Sequence, residues 1–222
     1  MEDSPIKFSQ RKIKKNYRSI TGHFPSIKNN TSLSFESKLE KAHFLALEFD
    51  NEVISYQEQP QIEIFFNGKN QIYSADCYVK RVKNSSKKDS IVEVKYTNEI
   101  EKRKDYFETK FESAKTSANK LNLDFEVYTE ENHNQIYLEN LDFLYRYKLY
   151  PIENKYENQI VELVNKNKKI SAFNLANLIS QNLTEYGLIS NCIWDLVCKE
   201  KLKSDLKLSK VSMNSLVELC CE

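Results

Sequence analysis

Apolar residues recur at helical spacing over residues 35–49 (Phe35, Leu39, Ala42, Ala46, Phe49), with Ser34 placed as an N-cap, and predict a helix of three to four turns. Three strand-like runs follow, at residues 53–57, 62–66 and 71–80. The last two are separated by Asn67-Gly68-Lys69-Asn70, an Asn-Gly signal for a hairpin. A fourth run, 90–96, follows the polar loop 84–89, so that a meander would set Asp76 and Glu93 on adjacent strands. Residues 98–121 carry Ile100, Tyr106, Phe107, Phe111, Ala114 and Ala118 and predict a long amphipathic helix. A helical crossover of that length suits a parallel strand at 123–129. A closing helix is expected at 136–150.

Beyond Pro151 the pattern changes to short helices, at 154–165, 171–180 and 189–199, with a break at 182–187 and no convincing strand. This predicts a small helical, winged-helix-like module, whose second helix would enter a major groove or whose surface would dock a protein. The polar stretch 19–31, punctuated by Gly22 and Pro25, is read as a surface loop, with His23 a loop residue. His43 is expected to be a packed or surface histidine. The predicted organisation is an arm and loop over 1–34, an α/β domain over 35–150 with a mixed central sheet, and a helical domain over 151–222.

Composition narrows this further. The 33 basic and 32 acidic residues leave a net charge of +1, so no global field marks a nucleic-acid partner. Locally, Lys7, Arg11, Lys12, Lys14, Lys15 and Arg18 follow one another with no acid between them, and the arm is either a DNA-phosphate contact or a solvated tail. Five cysteines without CxxC spacing argue against a zinc site or a disulfide framework and fit a reducing compartment. Without an apolar run of about 18 residues or a signal pattern, a soluble, cytoplasmic protein with no membrane partner is expected. The three widely spaced glycines exclude a glycine-rich phosphate loop.

The candidate chemistry lies at Asp76 and at Glu93-Val94-Lys95. In a period-two strand Glu93 and Lys95 share a face, and an antiparallel neighbour carrying Asp76 can meet both. Two carboxylates and an ammonium there form either a surface salt bridge between strands or a centre for a divalent metal and a nucleophilic water. On the first helix Glu36 and Glu40 lie four apart on one flank, as a solvated face or as a further carboxylate source. Gln59 and Pro60 are read as structural, closing the first strand.

A helix-borne Glu, a strand-end Asp and an E-x-K on the next strand, in the order αβββαβ, resemble the restriction-endonuclease-like PD-(D/E)-x-K nuclease core, with Ala75 where the motif has proline. The longer string is more specific. Phe35-Glu36-Ser37-Lys38-Leu39-Glu40-Lys41, Phe44-Leu45-Ala46-Leu47-Glu48-Phe49-Asp50, Val53-Ile54-Ser55-Tyr56-Gln57-Glu58-Gln59-Pro60, Tyr73-Ser74-Ala75-Asp76 and Val92-Glu93-Val94-Lys95 resemble the TnsA family, the endonuclease subunit of heteromeric bacterial transposases. Arg11-Lys12-Ile13 and Gly22-His23-Phe24-Pro25-Ser26 share in the resemblance, which covers roughly the first 150 residues.

It implies that Glu40, Asp76 and Glu93 hold Mg2+, with Mn2+ as a substitute, and that Lys95 positions the attacking water. Glu36 is the alternative to Glu40, and the family residue at the Glu93 position is not always acidic. The implied activity is hydrolysis of phosphodiester bonds at the transposon 5′ ends. A separate DDE-type transposase processes the 3′ ends, and an AAA+ ATPase regulator grips the C-terminal module. A stand-alone restriction or repair nuclease, and an inactive DNA-binding or assembly module, are the competing expectations.

Overall fold

The computed structural model describes residues 6–8 and 20–220. These form two compact units, one ending at Asn132 and the other beginning at His133. In the first unit the order is β1 (Lys7–Phe8), β2 (Gly22–Ser26), β3 (Thr31–Phe35), α1 (Lys38–Phe49), β4 (Val53–Glu58), β5 (Pro60–Phe66), β6 (Lys69–Ser74), β7 (Cys77–Arg81), β8 (Ser90–Val94), α2 (Thr97–Lys102), α3 (Lys104–Lys120) and β9 (Asp124–Tyr128).

The central sheet runs β4-β7-β8-β9. Its first two pairings are antiparallel and the last, reached through α2 and α3, is parallel, so the mixed α/β sheet expected from the pattern is present. All five residues of β8 are buried, as suits a strand covered on both faces. A second sheet, β1-β5-β6, contains the Asn-Gly hairpin, in which Asn67 and Gly68 take φ of 53° and 76°, the left-handed pair of a type I′ turn.

Several expectations are corrected here. Residues 71–80 are two strands rather than one: the chain leaves the second sheet after Ser74 and enters the central sheet at Cys77. Burial alternates straight through the break, with Tyr73, Ala75, Cys77 and Val79 all inside, so hydrophobic periodicity carries no sign of it. Residues 22–35, read as a loop and then the start of a helix, form the β2–β3 hairpin. Its inner face is Phe24, Leu33 and Phe35, and the Phe35 ring lies where a Cβ on Gly22 would stand, only 2.7 Å away. The first helix therefore starts at Lys38 with Ser37, not Ser34, as its N-cap. The predicted 98–121 helix breaks at Arg103, whose φ of −135° and ψ of 41° are not helical. Behind the sheets, Ile62, Ile64, Tyr73, Ala75 and Ile91 pack with Ala114 and Ala118 of α3 in one apolar cluster.

The second unit comprises α4 (Gln135–Leu149), α5 (Glu157–Asn167), β10 (Lys169–Ser171), α6 (Ala172–Ile179), α7 (Leu183–Cys198), β11 (Leu202–Lys203) and β12 (Leu216–Leu219). The helix expected to close the first domain, now α4, belongs to this unit. The Phe143 and Trp194 rings meet edge to face at 5.8 Å, and the Tyr147 hydroxyl donates to Asn191 Oδ1 at 3.1 Å. Three strands are present where none was expected, antiparallel in the order β10-β12-β11. At two to four residues each they are too short to show a period. The predicted break at 182–187 is the start of α7, capped by Asn182, so Gly187 lies inside a helix. Buried Asn140 of α4 donates to the carbonyls of Leu206 and Ser209 and accepts from Val211 N–H, tying down the loop before β12.

Candidate active site

Asp76 stands at the point where the chain passes from one sheet to the other. A second crossing, between β4 and β5, lies beside it at Gln59, which has a left-handed φ of 55°. Gln59 N–H donates to the Asp76 carbonyl at 3.1 Å and Ala75 N–H donates to the Pro60 carbonyl at 3.0 Å, so the two corners brace one another. Asp76 N–H then donates to Val92 O, extending the β7–β8 ladder by one residue. Its carboxylate Oδ2 accepts the Val94 N–H at 2.7 Å. The backbone on either side of Glu93 thus holds Asp76 in place.

Glu93 is buried, and Tyr73 at the end of β6 donates its hydroxyl to Glu93 Oε2 at 2.5 Å. Lys95 Nζ lies 3.7 Å from Glu93 Oε1, and Lys95 N–H donates to Tyr128 O of β9. The ammonium is anchored by its main chain and partly open to solvent. Burial, reinforced by the Glu93 and Glu40 carboxylates, pushes Asp76 up to about 7, against the pull of the Val94 N–H and of Lys95. Burial together with the neighbouring Glu93 raises the Tyr73 phenol as well, so it stays a hydrogen-bond donor.

Glu40 has a local role. Ser37 Oγ accepts from Glu40 N–H while Glu40 Oε1 accepts from Ser37 Oγ, and Glu40 Oε2 accepts from Glu36 N–H, each at 3.0 Å. This is a variant of the capping box at the start of α1, in which the Glu40 side chain reaches the cap hydroxyl and the N–H one residue before the cap. Burial raises Glu40 above the ordinary carboxylate range although both hydrogen bonds pull it down, and its field reaches both Asp76 and Lys95. Of the predicted residues, Asp76, Glu93 and Lys95 are drawn together by strand geometry. Glu40 joins them within electrostatic range, with its oxygens turned to its own helix end. Among the described residues no three His, Cys, Asp or Glu side chains are arranged as a ready metal cage. The chemistry of the donor set still suits a divalent cation: Asp76, Glu93 and Glu40 bring three carboxylates against one ammonium, and mutual repulsion already raises Asp76.

Residues 50–130 match the model of the TnsA-like endonuclease N-terminal family. Over this segment the chain is similar to TnsA-type endonucleases. The matched residues run from the end of α1 to just past β9 and include Asp76, Glu93 and Lys95, while Glu40 precedes them. No curated protein matches the chain significantly.

Other predicted positions resolve differently. Arg11, Lys12, Lys14, Lys15 and Arg18 lie outside the described residues. His43, which precedes the matched segment, is buried with its ring 4.5 Å from that of Tyr128, a packed histidine, and His23 lies on β2 rather than in a loop. Tyr73 is a neighbour of the cluster that the pattern did not single out, and Gln59, read as structural, is a structural corner whose left-handed turn was not foreseen. Tyr73 reads as one more inward position of an alternating strand, and a left-handed φ leaves no mark on a Gln-Pro pair. No helix among the described residues is long and apolar enough to cross a membrane.

Proposed function

We propose that this chain is the DNA endonuclease subunit of a cut-and-paste transposase, hydrolysing phosphodiester bonds at the transposon 5′ ends while a DDE-type partner transposase processes the 3′ ends. The observation that carries the proposal is the convergence of Asp76, Glu93 and Lys95 at one sheet crossing inside a TnsA-type domain. Asp76 and Glu93 would hold Mg2+, or Mn2+ in its place, with Glu40 joining if its carboxylate leaves the helix cap. The bound ion supplies Lewis-acid polarisation of the phosphate and a more acidic water.

The remaining work falls to the protein. Lys95, fixed by β9 and partly open to solvent, orients the attacking water and offsets charge gathering on the non-bridging oxygens. Water adds at phosphorus opposite the leaving 3′ oxygen, giving a 3′-hydroxyl and a 5′-phosphate. Tyr73 keeps Glu93 oriented by donating to one oxygen and leaving the other directed toward Lys95.

The order α5-β10-α6-α7-β11-β12 with β10-β12-β11 pairing supports a winged-helix reading of the second unit, in which α7 takes the place of a recognition helix. That helix carries no lysine or arginine and exposes Leu183 and Leu188. Its chemistry favours a protein partner, the ATPase regulator, over a DNA groove.

On plasmid bearing transposon ends, with the partner transposase and Mg2+, Asp76→Ala and Lys95→Ala should each abolish the 5′ cut and spare the 3′ cut. Full 5′ cleavage by both variants would refute the site. Cutting of unrelated DNA by the chain alone would instead favour a stand-alone nuclease.

A further inference from the structure

We infer that Arg103, the N-cap of α3, and Lys110 in its second turn bind backbone phosphates of duplex DNA beside the scissile bond; the inference rests on the endonuclease reading above. Tyr106, Phe107 and Lys110 share one side of α3, and Arg103, its N-cap, lies over the rings of the first two. The Arg103 guanidinium lies 4.1 Å from the centre of the Tyr106 ring and 5.5 Å from that of Phe107. Lys110 Nζ lies 4.7 Å from the Tyr73 ring and 5.9 Å from the Tyr106 ring. Because the Tyr73 hydroxyl in turn bonds Glu93, an unbroken line of contacts runs from the exposed Arg103 to the carboxylate cluster.

Two features separate these cations from ordinary surface charge. Neither forms an ion pair among the described residues, whereas the neighbouring Lys104 pairs with Glu108 at 3.7 Å. Aromatic faces also orient a cation without cancelling it, leaving the N–H donors of the guanidinium and ammonium directed outward for phosphate oxygens. Such contacts are needed at this place. Glu40, Asp76 and Glu93 together repel a polyanion, and the chain's net charge of only +1 supplies no strong overall field to offset them. The ligand class is duplex DNA of any sequence, since phosphate contacts fix position and carry no sequence information.

The test measures binding of the full chain to a transposon-end duplex from low to moderate salt, and the DNA concentration for half-maximal 5′ cleavage with the partner transposase present. R103Q and K110Q should each reduce the slope of log affinity against log salt by about 0.9, and the double variant by about 1.8. The double variant should weaken binding at least about tenfold at 0.1 M salt. K104Q, which removes the same charge from the same helix, should leave the slope unchanged, and K110R should restore it. Thermal unfolding checks that each variant is folded, and the exposed R103Q alone decides the matter if the double variant is not. If wild type binds and cuts while the variants keep its slope, this inference is overturned and the endonuclease reading survives. If wild type with its partner leaves the 5′ ends uncut, the endonuclease reading itself falls.

Discussion

Asp76 is held high on the pH scale by its own neighbours, and the sign of the consequence is fixed. A carboxyl near 7 in the folded chain against its ordinary 3.8 binds protons more tightly folded than unfolded. Its contribution to stability is therefore present below about pH 4 and is lost as pH rises through about 7. Denaturant unfolding of the metal-free protein should show Asp76→Asn gaining a few kcal/mol over wild type at pH 8 and little at pH 4. Asn still offers an oxygen to the Val94 N–H, so packing is kept while the charge goes. The same variant should be unable to cut if the proposed role of Asp76 holds, and stability would then have been given up for chemistry there. Asp76, Glu93 and Lys95 were legible in the sequence because period-two spacing alone assigns faces and a polar loop brings β7 beside β8. Tyr73 was not, because a buried tyrosine on an alternating strand is indistinguishable from a packed one until its hydroxyl partner is seen.

Among the elements, the sheet crossing matters more than any one strand. Its two corners are joined by Gln59 N–H to Asp76 O and Ala75 N–H to Pro60 O, and Gln59 holds a left-handed backbone that costs a non-glycine residue about 1–2 kcal/mol. Gln59→Gly should be neutral or stabilising by up to about 1 kcal/mol, while the β-branched Gln59→Val should destabilise by about 1–3 kcal/mol and lower 5′ cleavage with it. Chemical denaturation of the two variants gives the comparison, and equal stability would show that the corner tolerates any residue. The hairpin was read correctly from Asn67-Gly68 because that pair favours a tight turn through its backbone conformation. The crossing escaped because an even number of residues separates inward positions on both sides of it, so the alternation never slips. The β2–β3 hairpin escaped for another reason: its polar, one-sided strands resemble a loop in composition, and Phe24, Leu33 and Phe35 are their only large apolar residues that reach the interior.

For the whole molecule, the unit boundary at Asn132 and His133 is the corrected feature. Pattern placed it at Pro151, where a proline follows a long apolar helix. Periodicity says that α4 has an inner face and is silent on which core receives it, and the ring contact of Phe143 with Trp194 answers that. The turn joining the units contains exposed Glu130 and Glu131. Limited digestion with a glutamate-specific protease is expected to cut there first and release a stable C-terminal fragment beginning near residue 131–132. A first cut near residue 151 would restore the boundary that proline suggested. The smaller strands β10, β11 and β12 show the same limit of pattern at larger scale, since pairing between segments far apart in sequence gives two to four residues nothing periodic to display.

The hydrogen bond from Lys95 N–H to the Tyr128 carbonyl has a consequence for the life of the chain before it is complete. During synthesis every member of the cluster has been made once Lys95 is added, yet β9, which closes one side of β8 and fixes the lysine, is still 33 residues short of its end at Tyr128. At about 5–20 residues per second that interval lasts roughly 2–7 s. Until it ends, β8 is a bare edge and the ammonium has no fixed position, so the nascent polypeptide carries the proposed catalytic residues in an unassembled, latent form.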